Sequence, residues 1–273
     1  MSPPSRLRFF PSALPFYTHP FVPARRCIRK PGVGFECDGR RLLGVTEYLR
    51  RNFYPTFKAT RRATPNRSRT QPHSRGLGMR MGSIADHAIT AFAKTGDIRK
   101  MTRSSAAQRL VQFLKINKLT IVDAHVLICD PSVGIATEID VLCQGKTSLV
   151  VIENKTTLQS RTEHLRTYRT PDSEQPLLAG PLRTLLNNEY NHHQLQLALM
   201  LMMLKQTYNI RATGYVVMAT VDGLIHYPIN PTVFELTRNL LANQRHFRSP
   251  AYRQQLVSHD DPTILRLPYR YRP

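Results

Sequence analysis

At 273 residues, 41% of them hydrophobic, the chain is long enough to bury a full core, as one domain with appendages or as two small ones. Its 39 Lys and Arg against 18 Asp and Glu give a formal charge of +21, a balance that favours a polyanionic partner such as nucleic acid. No stretch approaches the roughly 20 apolar residues that cross a bilayer, so no membrane partner is expected; four cysteines with no C-x-x-C and no histidine pair at zinc spacing argue against structural zinc, an iron–sulfur cluster or a disulfide framework.

Residues 1–41 read as a basic arm. The first 35 hold six Arg and Lys, several Pro and no Asp or Glu, a composition that cannot sustain a core. Two roles fit such an arm: a mitochondrial transit peptide, although its prolines break any amphipathic helix, or a nucleic-acid-binding arm or nuclear signal. An intracellular, reducing compartment is expected, with nucleus and mitochondrion both open.

A folded domain is expected over 42–244. Within Leu42–Phe57 the spacing of Tyr48, Leu49 and Phe53 predicts a helix starting at Thr46. Lys58–Arg80 has seven Arg and Lys and no acid, and reads as a basic loop suited to a phosphate backbone. Gly82–Lys94 is predicted helical through its stripe of Ile84, Ala85, Ala88, Ile89 and Phe92, and Ser104–Asn117 through Ala107, Leu110, Val111 and Leu114. Thr120–Cys129 reads as a strand. Next comes a hairpin, two apolar runs Ile135–Cys143 and Ser148–Ile152 joined by Gln144-Gly145-Lys146-Thr147.

In that hairpin a two-residue loop makes facing positions sum to an odd number. Glu138, Asp140, Glu153 and Lys155 then share one face, and Ile139, Val141, Val150 and Ile152 the other. The first face reads as a charge cluster and the second as core.

Leu158–Gln175 reads as a flexible polar loop, with base or phosphate contacts from Tyr168 and Arg161–Arg169 as the alternative. Leu182–Tyr208 is predicted to be a helix, apolar nearly all round in its second half, as a helix packed on a sheet must be. His192 and His193 diverge by about 100° on it, which suits solvation or capping better than a ligand pair. Ala212–Val221 and Gly223–Ile229 predict a second hairpin around Asp222-Gly223, Pro231–Asn243 a closing helix, and 245–273 a basic tail. The expected architecture is α/β: a central mixed sheet of about four to five strands flanked by helices, between basic disordered termini.

Asp140, Glu153 and Lys155 have the composition of a metal-dependent phosphodiester cleavage site. Two carboxylates on adjacent strands offer oxygen ligands to Mg²⁺ or Mn²⁺, and a lysine beside them can orient or deprotonate water and stabilise charge on phosphorus. Glu138 is a third acid on that face, or the partner of an arginine.

Asp140, twelve intervening residues and then Glu153-Asn154-Lys155 resemble the D…(D/E)-x-K signature of the PD-(D/E)XK nucleases. GIATEID and VVIENKT resemble the strand blocks of their RecB-like and mitochondrial genome-maintenance exonuclease branch. GVTEYL and Gly82–Ile89 resemble its upstream helices, in matching order. The resemblance implies a restriction-endonuclease-like core and a DNA exonuclease, DNA being preferred over RNA. It also implies a metal held by Asp86, Asp140 and Glu153, with Lys155 catalytic. His87 is the alternative to Asp86, displaced by one residue. The family's Q-x-x-x-Y helix is incomplete: Gln194 is assigned to position substrate, although position 198 is Ala, and Gln196 is its rival. Protein partners are left open.

Overall fold

One strand, β5 (Ile135–Gln144), carries three others and sets the geometry of the whole molecule. The computed structural model describes residues 27–30, 34–54, 71–97, 99, 104–169 and 176–248. The arm over 1–26, the loop over 58–70 and the tail over 249–273 lie outside the described residues. Strands β1 (Cys27–Lys30), β2 (Gly34–Cys37) and β3 (Arg40–Gly44) form an antiparallel wing that leads into helix α1 (Val45–Asn52). Helices α2 (Gln71–Thr95) and α3 (Ser105–Ile116) follow, then β4 (Thr120–Asp130), β5 and β6 (Leu149–Thr156). Helices α4 (Arg161–Thr167) and α5 (Glu189–Tyr208) cross to β7 (Ala212–Ala219) and β8 (Leu224–Pro228), and α6 (Pro231–Arg248) closes the fold.

Among the described residues the result is a mixed eight-stranded sheet with six α-helices, larger than the expected four to five strands. The surplus is the wing. Residues 27–30 and 34–41, expected to belong to a disordered arm, are strands instead. Each is only four or five residues long, and β1 and β3 carry two basic residues apiece, so the pairing is visible only in three dimensions. The basic loop is likewise shortened, because α2 begins at Gln71.

Local signals explain the helix boundaries. Ser104 Oγ accepts the Ala107 N–H at 3.2 Å, Ser160 Oγ the Glu163 N–H at 3.2 Å, and Asn188 Oδ1 the Asn191 N–H at 2.9 Å, so each caps its helix. Pro231 opens α6, where no N–H is needed. The segment expected as a polar loop therefore contains α4, and the helix expected from Leu182 starts at Glu189.

Two cores sandwich the sheet. Val141, Cys143, Val150 and Ile152 pack with Ile89 of α2 and Leu110 and Leu114 of α3. Leu142, Val151, Val216 and Met218 pack beneath α5, together with Ile139 and α6. Both faces of the hairpin are thus covered, so the charged face is not a free surface: the charged residues occupy the end of the face that α5 covers. The helix can lie so close because Gly214 of β7 has no side chain, and a Cβ there would sit 2.7 Å from Leu197.

Candidate active site

The pairing around β5 creates a gap. β4 runs antiparallel along one edge of β5 from Ile135 to Gln144. The other edge is shared: β3 pairs in parallel at Ile135 and Ala136, and β6 pairs antiparallel from Val141 to Gln144. Between them Thr137 to Asp140 have no strand partner on that edge. Facing positions of β5 and β6 sum to an odd number, as 141 and 152 do, so Asp140 and Glu153 are the first residues beyond the last paired rung. Asp140 Oδ2 accepts the Asn154 main-chain N–H at 2.8 Å and holds the fork where the ladder ends.

Glu153 is 3% exposed. Its Oε1 pairs with the Lys155 ammonium, while its buried Oε2 has no hydrogen-bond partner. Lys155 Nζ lies 4.0 Å from Asp140 Oδ2. Burial, then the Glu153 charge, push the Asp140 carboxyl up to about 8; Lys155 and the Asn154 N–H pull the other way, and Asp86 adds to the rise. Burial alone would lower the Lys155 ammonium, but Glu153 and Asp140 outweigh it and hold the group above its ordinary value. At neutral pH Lys155 is a cation and a donor.

Of the two candidates on α2, which packs on the sheet face opposite α5, Asp86 does not line the cleft but is near enough for its charge to act on both Asp140 and Lys155. His87 is exposed, its Nδ1 is 2.7 Å from the Ser83 carbonyl, and it lines a hollow on the outer side of α2 with Ser83, Ala91 and Arg99. That hollow, about 1040 Å³, is the larger of the two described, yet it contains no comparable grouping. Glu138 takes the arginine pairing, with Arg29 Nη1 at 2.8 Å.

The glutamine assigned to position substrate points elsewhere. Gln194 is fully buried, donates to the Pro228 carbonyl at 3.2 Å and accepts the Asn230 N–H at 2.8 Å, tying α5 to the start of α6. Gln196 is the residue in the cleft, its amide donating to Thr46 Oγ1 of α1 at 3.1 Å. The cleft, about 650 Å³, is also lined by Asp140, Glu153, Lys155, His193 and Met200. His193, Gln196 and Met200 fall at i, i+3 and i+7, so that spacing marks the inward stripe of α5.

Both histidines of that pair are half-buried and partnered, His192 also through Nε2 to Asn187 Oδ1 at 2.6 Å. His192 stacks on Tyr54 with ring centroids 3.9 Å apart. His193 Nδ1 is 2.7 Å from the buried Tyr168 hydroxyl, and burial followed by the Lys155 charge pushes its imidazole down to about 3, so it is neutral. Tyr168, Tyr190 and Tyr227 pack together behind it, with Arg169 over Tyr190 and Tyr227 at 5.0 and 4.6 Å. Tyr168 is 6% exposed and sits in this buried aromatic cluster, not in a loop open to nucleic acid.

Among the described residues no three His, Cys, Asp or Glu side chains close on a single metal position. The donor chemistry of the fork nonetheless fits a hard divalent cation: two carboxylates meet there, one with an orphaned buried oxygen and the other pushed up by burial and then by its neighbour's charge.

No family model matches the chain, and no curated protein matches it. Among solved structures 15 chains match. One, described as "Crystal structure of SSO0001", is 15% identical over 70% of this chain and 86% of its own, with a TM-score of 0.24, an overlap too loose to carry an argument about fold or function.

Proposed function

We propose that the protein is a nuclease that hydrolyses DNA phosphodiester bonds with Mg²⁺ or Mn²⁺, acting as an exonuclease. The observation that carries this reading is the unpartnered Glu153 Oε2 beside Asp140 and Lys155, at a gap in the sheet that opens into a cleft. Asp140 and Glu153 are the groups that would hold the cation, with Asp86 of α2 the third acid that the family resemblance implies. When bound, the cation supplies charge neutralisation at phosphate and an acidified water.

The chain's own residues do the rest. Lys155, held protonated, stabilises negative charge developing on the phosphoryl oxygens instead of acting as the base that takes a proton from water. Gln196, fixed by Thr46, offers its remaining polar capacity to substrate. His193, locked by Tyr168, supports the cleft wall beside Lys155 as a neutral ring.

The test is hydrolysis of linear single- and double-stranded DNA, RNA and a covalently closed circle by full-length protein with Mg²⁺ or Mn²⁺. Linear DNA should be degraded, and Lys155→Ala should lower the rate by about 10²–10³-fold, the usual scale for losing a preorganised charge at the transition state. Equal behaviour of wild type and Lys155→Ala on every substrate would end the proposal. Cleavage of the closed circle would identify an endonuclease on the same site.

A second reading is favoured by the +21 charge. In it the chain binds nucleic acid without cutting it. Such a binder keeps salt-sensitive DNA affinity in Asp140→Asn with no metal requirement, whereas the nuclease loses turnover and much of its divalent-ion binding.

A further inference from the structure

The wing reaches the cleft. Phe35 of β2 and Arg29 of β1 line the same cavity as Asp140 and Glu153. The Arg29 guanidinium lies 5.8 Å from the Phe35 ring centroid, and its pairing with Glu138 anchors it to the open half of β5. The Phe35 ring rests on bare backbone at Gly44, where an added Cβ would sit 3.3 Å away. One side of the ring packs toward Leu42 and Cys37, while the residue stays half-buried at the cleft wall.

Charge points the same way. Arg29, Lys30, Arg40 and Arg41 of the wing are exposed, against Glu36 and Asp38, so the wing's own side chains sum to a positive charge beside a cleft whose charged lining is mainly acidic. Cations alone would suit any phosphate backbone. An aromatic ring and a guanidinium plane inside the cleft add faces on which a nucleobase can stack, and a base reaches them only when it is unpaired.

We infer that the wing is a clamp for single-stranded nucleic acid, in which Phe35 and Arg29 stack a base next to the phosphodiester presented at Asp140 and Glu153. The inference rests on the reading of the fork as a phosphodiester site, but its test is separable from catalysis. Full-length protein in EDTA is titrated with oligonucleotides carrying a fluorescent adenine analogue, as single-stranded DNA, single-stranded RNA and blunt duplex DNA of equal length. Wild type should bind one or both single-stranded forms tighter than duplex and quench the analogue. Phe35→Leu, which keeps the apolar packing, should bind the single strand about tenfold more weakly, the order expected for one lost base–aromatic stack, with duplex affinity unchanged. Phe35→Trp should restore quenching and affinity.

Unchanged single-strand affinity in Phe35→Leu, or equal weakening on duplex, overturns the clamp. Tight, Phe35-dependent binding by a protein that cuts nothing in Mg²⁺ upholds the clamp and overturns the nuclease reading. Cleavage with KM unaltered in Phe35→Leu does the reverse.

Discussion

The two halves of β5 differ in one respect. Both are zipped to β4, but residues 141–144 are also zipped to β6, whereas 137–140 lie open on that edge. In the closed half the strand is paired on both edges, with a bulge in β4 between Ile121 and Asp123, and Val141, Leu142 and Cys143 are fully buried. In the open half side chains take over the backbone's role: Asp140 accepts a main-chain N–H and Glu138 reaches across to Arg29. Charged groups are affordable in this interior only where the sheet has come apart, because there they find partners that a continuous ladder would have consumed.

The contrast can be broken most strongly in the closed half. Leu142→Ala should destabilise the fold by about 3 kcal/mol in urea unfolding, as large-to-small changes at fully buried leucines do. Thr137→Ala in the open half should cost less than about 1 kcal/mol. Equal costs would mean the two halves are not different environments.

Helix α5 repeats the contrast two residues apart. Gln194→Ala removes the acceptor for Asn230 and should cost about 2 kcal/mol, while leaving the hydrolysis rate per folded molecule unchanged. Gln196→Ala should leave stability nearly intact and raise KM for DNA. The reverse pattern, seen in parallel unfolding and kinetic measurements, would restore Gln194 to the site.

The smallest expected effect is the dependence of stability on pH. Asp140 is an acid whose ordinary value of 3.8 is raised to about 8 in the fold. Its contribution is therefore fully present below the ordinary value and is lost as pH rises through about 8. Asp140→Asn should raise Tm by a few degrees at pH 9, on the order of 1 kcal/mol for a domain of this size, and change it less at pH 5. Mg²⁺ should narrow that difference at pH 9 by stabilising the wild type alone. A constant offset between the two proteins from pH 5 to 9 would show that Asp140 ionises normally.

Much of this was legible in the residues. The central hairpin, the helix from Gly82, the helix from Ser104 and the second hairpin each follow from periodicity and turn chemistry. The side-chain alternation of β5 and β6 places Asp140, Glu153 and Lys155 together, as the fork does. Other parts carried weaker signals. The wing strands, four or five residues each, are too short for alternation to stand out from the arm. α4 is a seven-residue polar helix marked only by the Ser160-x-x-Glu163 capping pair. α5 is apolar on all sides, so periodicity could not choose between Gln194 and Gln196, nor bring His193 into the cleft. The covering of both hairpin faces was hidden because alternation reports which residues share a side, not what lies above it.

The ladder between β6 and β7 has a mechanical meaning. It runs unbroken from Leu149 opposite Ala212 to Thr156 opposite Ala219, past Glu153 and Lys155 and beyond the point where β5 lets go. β6 is thus a cantilever, clamped along its whole length on one side and free at its tip on the other. The acid and the lysine therefore sit on a strand supported along its whole length, whereas Glu138 and Asp140 across the gap sit on the half of β5 that lacks that support, so any give at the fork falls to the β5 side.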